Sequence, residues 1–166
     1  MKSKRQYREL FENAVDVLYS HDLDGNFTAV NKAVERISGF SRGEVLRMSI
    51  YQLLEPESRE RVREVIREIL GGSLRGAFEV TAVSREGLPV ALEVGCRLVF
   101  RDGRPVGVQG IARDITERNR TEALERDRNQ VLEMIAGHEA LETVLDMVCR
   151  LVERQVPQTC CAIVLC

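Results

Sequence analysis

The alternation of apolar and polar residues predicts a long antiparallel strand in the middle of the chain. Over residues 89–100, apolar side chains fall on one face at every second position: Val90, Leu92, Val94, Cys96, Leu98 and Phe100. Alternation of this length is typical of a strand with one buried face. A strand at 77–84 is predicted before it, and a strand at about 105–113 follows the turn-forming pair Asp102-Gly103.

A hairpin is predicted nearer the amino terminus. Residues 17–21 and 27–30 are rich in strand-forming residues and flank Asp24-Gly25, a pair that favours a tight turn. An amphipathic helix is predicted before the hairpin, at 5–15. Asn31 follows the hairpin, and its side chain is predicted to cap the first of several short helices that run to about residue 54.

The clearest helix is predicted at 57–70, directly after Pro56 and before Gly71-Gly72. Its apolar residues have the spacing of one helix face: Val62, Val65, Ile66, Ile69 and Leu70. The order of helices and strands predicts an α+β fold, in which a five-stranded antiparallel sheet has helices packed on one face.

Charged residues replace the apolar periodicity after residue 113, which predicts a solvated helix or linker up to about residue 128. Another amphipathic stretch, from about 129 to 155, is broken near Gly137, and His138 is expected to open the helix after it. The apolar run 159–166 is predicted to be a strand. Since a lone strand would leave an unpaired edge, we expect it to begin a second domain that continues past residue 166.

Composition narrows the classes of function. The 166 residues are 44% hydrophobic and 30% charged, with a net charge of −2. This balance is typical of a soluble globular protein and gives no sign of nucleic-acid binding. No segment is apolar enough to cross a membrane and no secretory signal is present, so a cytoplasmic location is expected. The five cysteines are odd in number and form no C-x-x-C pair, which favours core thiols over a disulfide or metal site.

Several short motifs together resemble a known family. The segments 7–14, 21–25, Val30-Asn31 and 39–44 resemble the front half of PAS domains of the sensory-box type, which occur in bacterial signalling proteins. The segment 107–118 resembles the closing strand of that family. Within that segment, the motif at which the strand passes into a signalling helix is matched by Asp114, Ile115 and Thr116.

The resemblance implies three parts of the chain. Residues 5–117 would form the PAS sensor domain, and 118–137 a signalling linker helix. Residues 138–166 would form the truncated start of a second domain, because the tail is similar to the first helix and strand of a GAF domain.

The resemblance also implies a function. It indicates a small-ligand or cofactor pocket between sheet and helices, homodimerisation through the flanking helices, and a signal relayed through Asp114, Ile115 and Thr116 to an output domain. The chain itself is expected to be non-catalytic. As an alternative, it is the regulatory front of a sensor histidine kinase or of a cyclic-di-GMP cyclase or phosphodiesterase with its catalytic domain beyond residue 166. A third interpretation is a structural dimeriser without a ligand.

Two cofactor types common in the family are not expected here. Flavin-binding photoreceptors carry a reactive Cys before the long helix, and 47–53 contains none. Oxygen-sensing haem proteins use a His on the long helix, and 57–70 contains none. His21 lies on the predicted first strand next to a turn, so a surface or hydrogen-bonded residue is expected there and not a haem ligand. The identity of any cofactor stays open.

The candidate ligand pocket consists of apolar residues from the predicted helices and strands. Its alternative is a filled core, because apolar stripes are more often core than binding sites. Any ligand should be largely apolar, since few polar groups are available to orient it. The candidate residues are Val34, Ile37, Phe40, Leu53, Val65, Ile66, Ile69, Val94 and Leu98.

Overall fold

A five-stranded antiparallel sheet forms the centre of the fold, as the alternation predicts. The structure is a computed structural model that describes residues 2–73, 76–155 and 160–163. Its strands are β1 (Val17–His21), β2 (Phe27–Val30), β3 (Phe78–Val83), β4 (Pro89–Arg101) and β5 (Arg104–Asp114). They lie in the order β2-β1-β5-β4-β3, so that β1 pairs with β5 across a long separation in sequence.

Helices precede, interrupt and follow the sheet, which confirms the α+β class. The longest helix that precedes β3, α4 (Pro56–Leu70), buries Val62, Val65 and Ile66. The apolar stripe read from the sequence is therefore the buried face of that helix. The helices are α1 (Lys2–Asn13), α2 (Ala33–Ser38), α3 (Arg42–Val45), a 3₁₀ turn (Ile50–Leu53), α4 (Pro56–Leu70), α5 (Thr116–Ala136) and α6 (Leu141–Gln155).

The turn between β4 and β5 has the predicted geometry. Asp102 and Gly103 have φ angles of 50° and 75°. Two successive positive φ angles are typical of the two-residue hairpin turn whose twist matches that of the flanking strands. The long β4–β5 pairing follows directly from this turn, from Arg101 opposite Arg104 to Leu92 opposite Asp114.

Asn31 has a different role from the predicted one. The residue at the cap position of α2 is Lys32, and no side chain caps that helix. The Asn31 side chain is completely buried and accepts a hydrogen bond from the Leu18 N–H at 3.0 Å. Its Nδ2 donates to the carbonyl oxygens of Phe11 and Asp16, both at 3.0 Å. The prediction of a helix cap was wrong because it considered only the residues that follow Asn31 in sequence.

The chain divides into two compact units, Met1–Thr116 and Glu117–Cys166. None of the described residues of α5 is buried, as expected for a solvated helix. His138 does not open a helix: it lies in the turn before α6 with a φ of 56°. Of the predicted last strand, residues 160–163 are not in a strand, and 159 and 164–166 lie outside the described residues.

Candidate functional site

An apolar cavity of about 80 Å³ lies between the helices and the sheet of the first unit. Its walls come from α2, the 3₁₀ turn, α4 and all five strands. The inward side chains of the strands reach it because alternate residues of a strand point to one face of the sheet. The cavity is therefore a gap within the core of the fold.

Six of the nine candidate pocket residues line this cavity: Val34, Ile37, Leu53, Val65, Ile66 and Val94. The other three do not. Ile69 is half-buried near the end of α4, and Leu98 is half-buried on β4 opposite Val108. Phe40 packs against the core cluster, with the Arg85 guanidinium 5.8 Å from its ring centroid.

Sequence reasoning missed the contribution of the first hairpin and of β5. Val17, Tyr19 and His21 all line the cavity from β1, and Val108 and Ala112 line it from β5. The sequence signal that could have found the β1 residues is the spacing of Val17, Tyr19 and His21, because every second residue of a strand lies on one face. Since the run 17–21 is only five residues long, its alternation was too short to decide which face is buried.

Tyr19 and His21 form a polar corner in this apolar cavity. The residues are 7% and 2% exposed, and their rings lie parallel with centroids 6.0 Å apart. His21 Nδ1 lies 2.6 Å from the carbonyl oxygen of Asp22. Burial lowers the pKa of His21, although the hydrogen bond and the charge of Asp22 oppose the shift. The same burial raises the pKa of Tyr19, so both side chains are neutral near pH 7.

Gly110 makes room for the Tyr19 ring. It lies on β5 between Tyr19 on β1 and Cys96 on β4. A Cβ atom at Gly110 would lie 2.5 Å from the Tyr19 hydroxyl oxygen and 2.6 Å from Cζ, which is too close for any side chain. The ring therefore lies over the bare backbone of β5, and burial raises the pKa of the neighbouring Cys96 thiol.

The predicted relay residues form a compact junction where β5 ends. The Asp114 carboxylate accepts a hydrogen bond from the Thr116 N–H at 2.9 Å, two residues along the chain, which is the local pattern of an Asx-turn. The Thr116 hydroxyl in turn accepts the N–H of Ala91 at 3.0 Å, and the Ile115 N–H donates to the Ala91 carbonyl. Ile115 is 4% exposed. The start of α5 is thus bonded to Ala91 of β4 by Ile115 and Thr116, and Asp114 bonds to Thr116.

The size of the cavity limits what it can hold. Pockets for drug-sized ligands are typically about 300–1,000 Å³, and an engineered apolar cavity of about 150 Å³ holds one benzene molecule. The present cavity, of about 80 Å³, corresponds to a molecule of about three or four heavy atoms unless the core expands. Most of the predicted pocket is therefore filled core, with a small space left inside it.

The described residues contain neither a cluster of metal ligands nor a helix that could span a membrane. Within 2–73, 76–155 and 160–163, no three His, Cys, Asp or Glu side chains group together as a metal site requires. Across the same ranges, the helices are all too short or too polar to span a bilayer.

Comparisons with known proteins agree with this geometry. Residues 5–115 match the PAS fold family. The methyl sulfide methyltransferase-associated sensor of Methanosarcina acetivorans is 32% identical over 135 residues, which cover 81% of this chain and 13% of that protein. The methanogenesis regulatory histidine kinase FilI of Methanothrix harundinacea is 29% identical over 130 residues, which cover 76% of this chain and 14% of the kinase. The chain thus spans about one seventh of the length of these curated relatives.

A solved structure gives the same result for the fold. The crystal structure of a PAS domain from Colwellia psychrerythraea superposes with a TM-score of 0.63 at 24% identity. The match covers 69% of this chain and 98% of that domain. Likeness at this level of identity concerns the fold.

Proposed function

This chain belongs to the PAS family, and on that basis we propose that it is a non-catalytic sensory module that binds a small apolar ligand. The signal passes through Asp114, Ile115 and Thr116 into α5 and from there to an output domain. One observation carries the proposal. Leu92 lines the cavity, and its neighbour Ala91 holds both Ile115 and Thr116. A ligand that displaces β4 at Leu92 would therefore also displace Ala91, the residue to which the start of α5 is hydrogen-bonded.

The proposal is tested by nuclear magnetic resonance of the ¹⁵N-labelled chain titrated with 1-chloropropane, a small apolar probe. Amide shifts are expected at Leu92 and Val108, which line the cavity, and also at 115–117, which do not. Thr116→Val should abolish the shifts at 115–117 and leave those at the cavity. Thr121→Val is the matched control, because that hydroxyl bonds only the Glu117 carbonyl within α5.

Two results would contradict the proposal. If the probe causes no shift at the cavity, the ligand-binding part is wrong and the interpretation as an empty structural module gains support. If the cavity amides shift while 115–117 do not respond, the relay is wrong. Native mass spectrometry of the purified chain gives an independent check, since a co-purified small molecule would exclude an empty module.

We further propose that the module regulates a sensor histidine kinase. The relative FilI is a histidine kinase, and the present chain matches only a small part of its length. A cyclic-di-GMP cyclase or phosphodiesterase is the weaker alternative, because neither of these relatives is named as one. The reading frame after residue 166 distinguishes them: a phosphoacceptor box and a nucleotide site support the kinase, and a cyclase or phosphodiesterase signature contradicts it.

Homodimerisation through the flanking helices remains part of the proposal. Its support is the row of exposed apolar side chains along α5, in which Leu124, Leu132 and Ile135 are 50%, 53% and 57% exposed. A second copy of the same helix would cover them. We also propose the division into three parts that the family resemblance implies: a sensor at 5–117, a linker helix at 118–137 and a GAF-like start at 138–166. A cytoplasmic location is proposed as well.

A further inference from the structure

We propose that Tyr19 and His21 together bind a hydroxyl group, so that the cavity selects a short-chain alcohol over an equally large molecule without a hydroxyl. The inference rests on the proposed function, because it assumes that the cavity is a ligand site. It adds the chemical class of the ligand and the two side chains that recognise it.

The first step concerns the direction of the hydrogen bonds. The Asp22 carbonyl oxygen can only accept, so His21 Nδ1 must carry the proton that it donates at 2.6 Å. Since the ring is neutral, its other nitrogen, Nε2, is an acceptor. The Tyr19 hydroxyl is a donor. The corner therefore offers one donor and one acceptor.

The second step concerns their partners. Ser38 and Ser84 also line the cavity, but the Ser38 hydroxyl donates to the Val34 carbonyl and the Ser84 hydroxyl accepts the Leu88 N–H. Among the described residues, by contrast, neither the Tyr19 hydroxyl nor His21 Nε2 has a hydrogen-bond partner. Neither atom is among the fully enclosed unpaired atoms of the described residues, so both are still open to a small molecule. Polar groups of buried residues are nearly always paired with protein or water, and two open, unpaired groups on residues that line one cavity therefore point to a bound molecule that completes them.

The third step concerns the molecule that fits. A hydroxyl oxygen accepts from Tyr19 and donates its own proton to His21, so one group satisfies both. A ketone would leave His21 unpaired, and an ion would find no opposite charge in the apolar walls. The remaining volume of the 80 Å³ cavity accommodates a short alkyl chain. A water molecule could meet the same two groups, and the hydroxyl of an alcohol would replace it.

The experiment compares two probes of similar size, 1-propanol and 1-chloropropane. Each is titrated into the ¹⁵N-labelled 166-residue chain, and dissociation constants are read from the cavity amides. For the unmodified chain, 1-propanol is expected to bind more tightly. Tyr19→Phe removes one hydrogen bond and keeps the ring over Gly110. It should therefore raise the dissociation constant of 1-propanol by about 3- to 10-fold and change that of 1-chloropropane by less than about twofold.

A second variant and a control make the test decisive. His21→Phe removes the acceptor and retains a planar ring, so it should weaken the binding of 1-propanol selectively, as Tyr19→Phe does. Because there are two variants, the test still works if one of them folds poorly. Tyr51→Phe removes a phenol hydroxyl outside the cavity and should leave the dissociation constants of both probes unchanged.

The outcomes separate this inference from the proposed function. If 1-chloropropane binds, while 1-propanol binds no more tightly and neither variant affects it, hydroxyl recognition is overturned and the apolar site stands. If neither probe binds the unmodified chain, the ligand site itself is overturned. Selective loss of 1-propanol in Tyr19→Phe and His21→Phe, with Tyr51→Phe unchanged, supports the inference.

Discussion

Asn31 is the residue whose removal should damage the fold most for its size. Its side chain is 0% exposed and joins three backbone groups at 3.0 Å, the Leu18 N–H and the carbonyls of Phe11 and Asp16, with the Ala14 carbonyl as a weaker fourth partner at 3.5 Å. It thereby fixes the end of α1 and the following loop against β1. We expect Asn31→Ala to leave all three groups without their partner.

The size of the effect follows from this count. A buried polar group left unpaired costs about 1–3 kcal/mol, so three such groups set a lower bound of about 3 kcal/mol. Water entering the space vacated by the side chain limits the loss, and single substitutions rarely exceed about 5 kcal/mol. Asn31→Ala should therefore lower the free energy of unfolding by about 3–5 kcal/mol.

Urea unfolding followed by circular dichroism at 222 nm measures this quantity, since the chain has no Trp for fluorescence. Asn26→Ala is the matched control, because the exposed Asn26 amide bonds only the Asp22 carboxylate, at 3.0 Å. We expect the control to cost less than about 1 kcal/mol.

Asn31→Asp adds a diagnostic that a cavity alone would not give. It keeps the acceptor for Leu18 and places a second oxygen against the two carbonyl oxygens, so the loss should be at least as large at neutral pH. Stability should recover partly in acid, where a protonated carboxyl can donate again. Loss below about 1 kcal/mol for Asn31→Ala, or equal losses for Asn31→Ala and Asn26→Ala, would refute the reasoning.

Three other predictions concern the cavity and α5. Gly110→Ala should lower the free energy of unfolding in urea by about 1–3 kcal/mol, because its Cβ would lie 2.5 Å from the Tyr19 hydroxyl oxygen. Adding Tyr19→Leu to this variant should restore part of the lost stability. If it restores none, the clash lies elsewhere. The lowered pKa of His21 means that the unfolded chain binds the proton first. Its contribution to stability is therefore complete above its ordinary pKa of about 6.5 and is lost as the pH falls through the folded-state pKa. His21→Gln should flatten the decline in stability below about pH 6.5, and an unchanged slope would assign it to other groups. Leu132→Glu should reduce the dimer fraction in analytical ultracentrifugation by at least several-fold without lowering the melting temperature of the sensor unit. Glu133→Gln, which changes the neighbouring residue on α5, should leave the dimer fraction unchanged. Equal dimer fractions in the unmodified chain and both variants would place the dimer contact away from Leu132.

The elements themselves could be predicted from local patterns. The alternation over 89–100 and the stripe of α4 each repeat often enough to define a buried face, and Asp102-Gly103 has the backbone freedom its turn requires. Their bounds in the structure lie within one or two residues of the predicted ones. The motif at Asp114–Thr116 was identified by its resemblance to the PAS family. Its bond between Thr116 and Asp114 is local, but the bonds from Ile115 and Thr116 to Ala91 join residues far apart in sequence, and only the tertiary structure brings them together.

The site was only partly predictable, because its geometry depends on which strands become neighbours. The pairing of β1 with β5 brings Tyr19 beside Gly110, residues that are 91 positions apart and have no common sequence pattern. The same pairing decides that His21 faces the helices, and the position of the end of α1 decides that Asn31 bonds to backbone and not to α2. Periodicity specifies which face of an element is apolar, since that depends on residues a few positions apart. Only the tertiary structure decides which elements meet, because the energy of the contacts between elements comes from many residues that are distant in sequence.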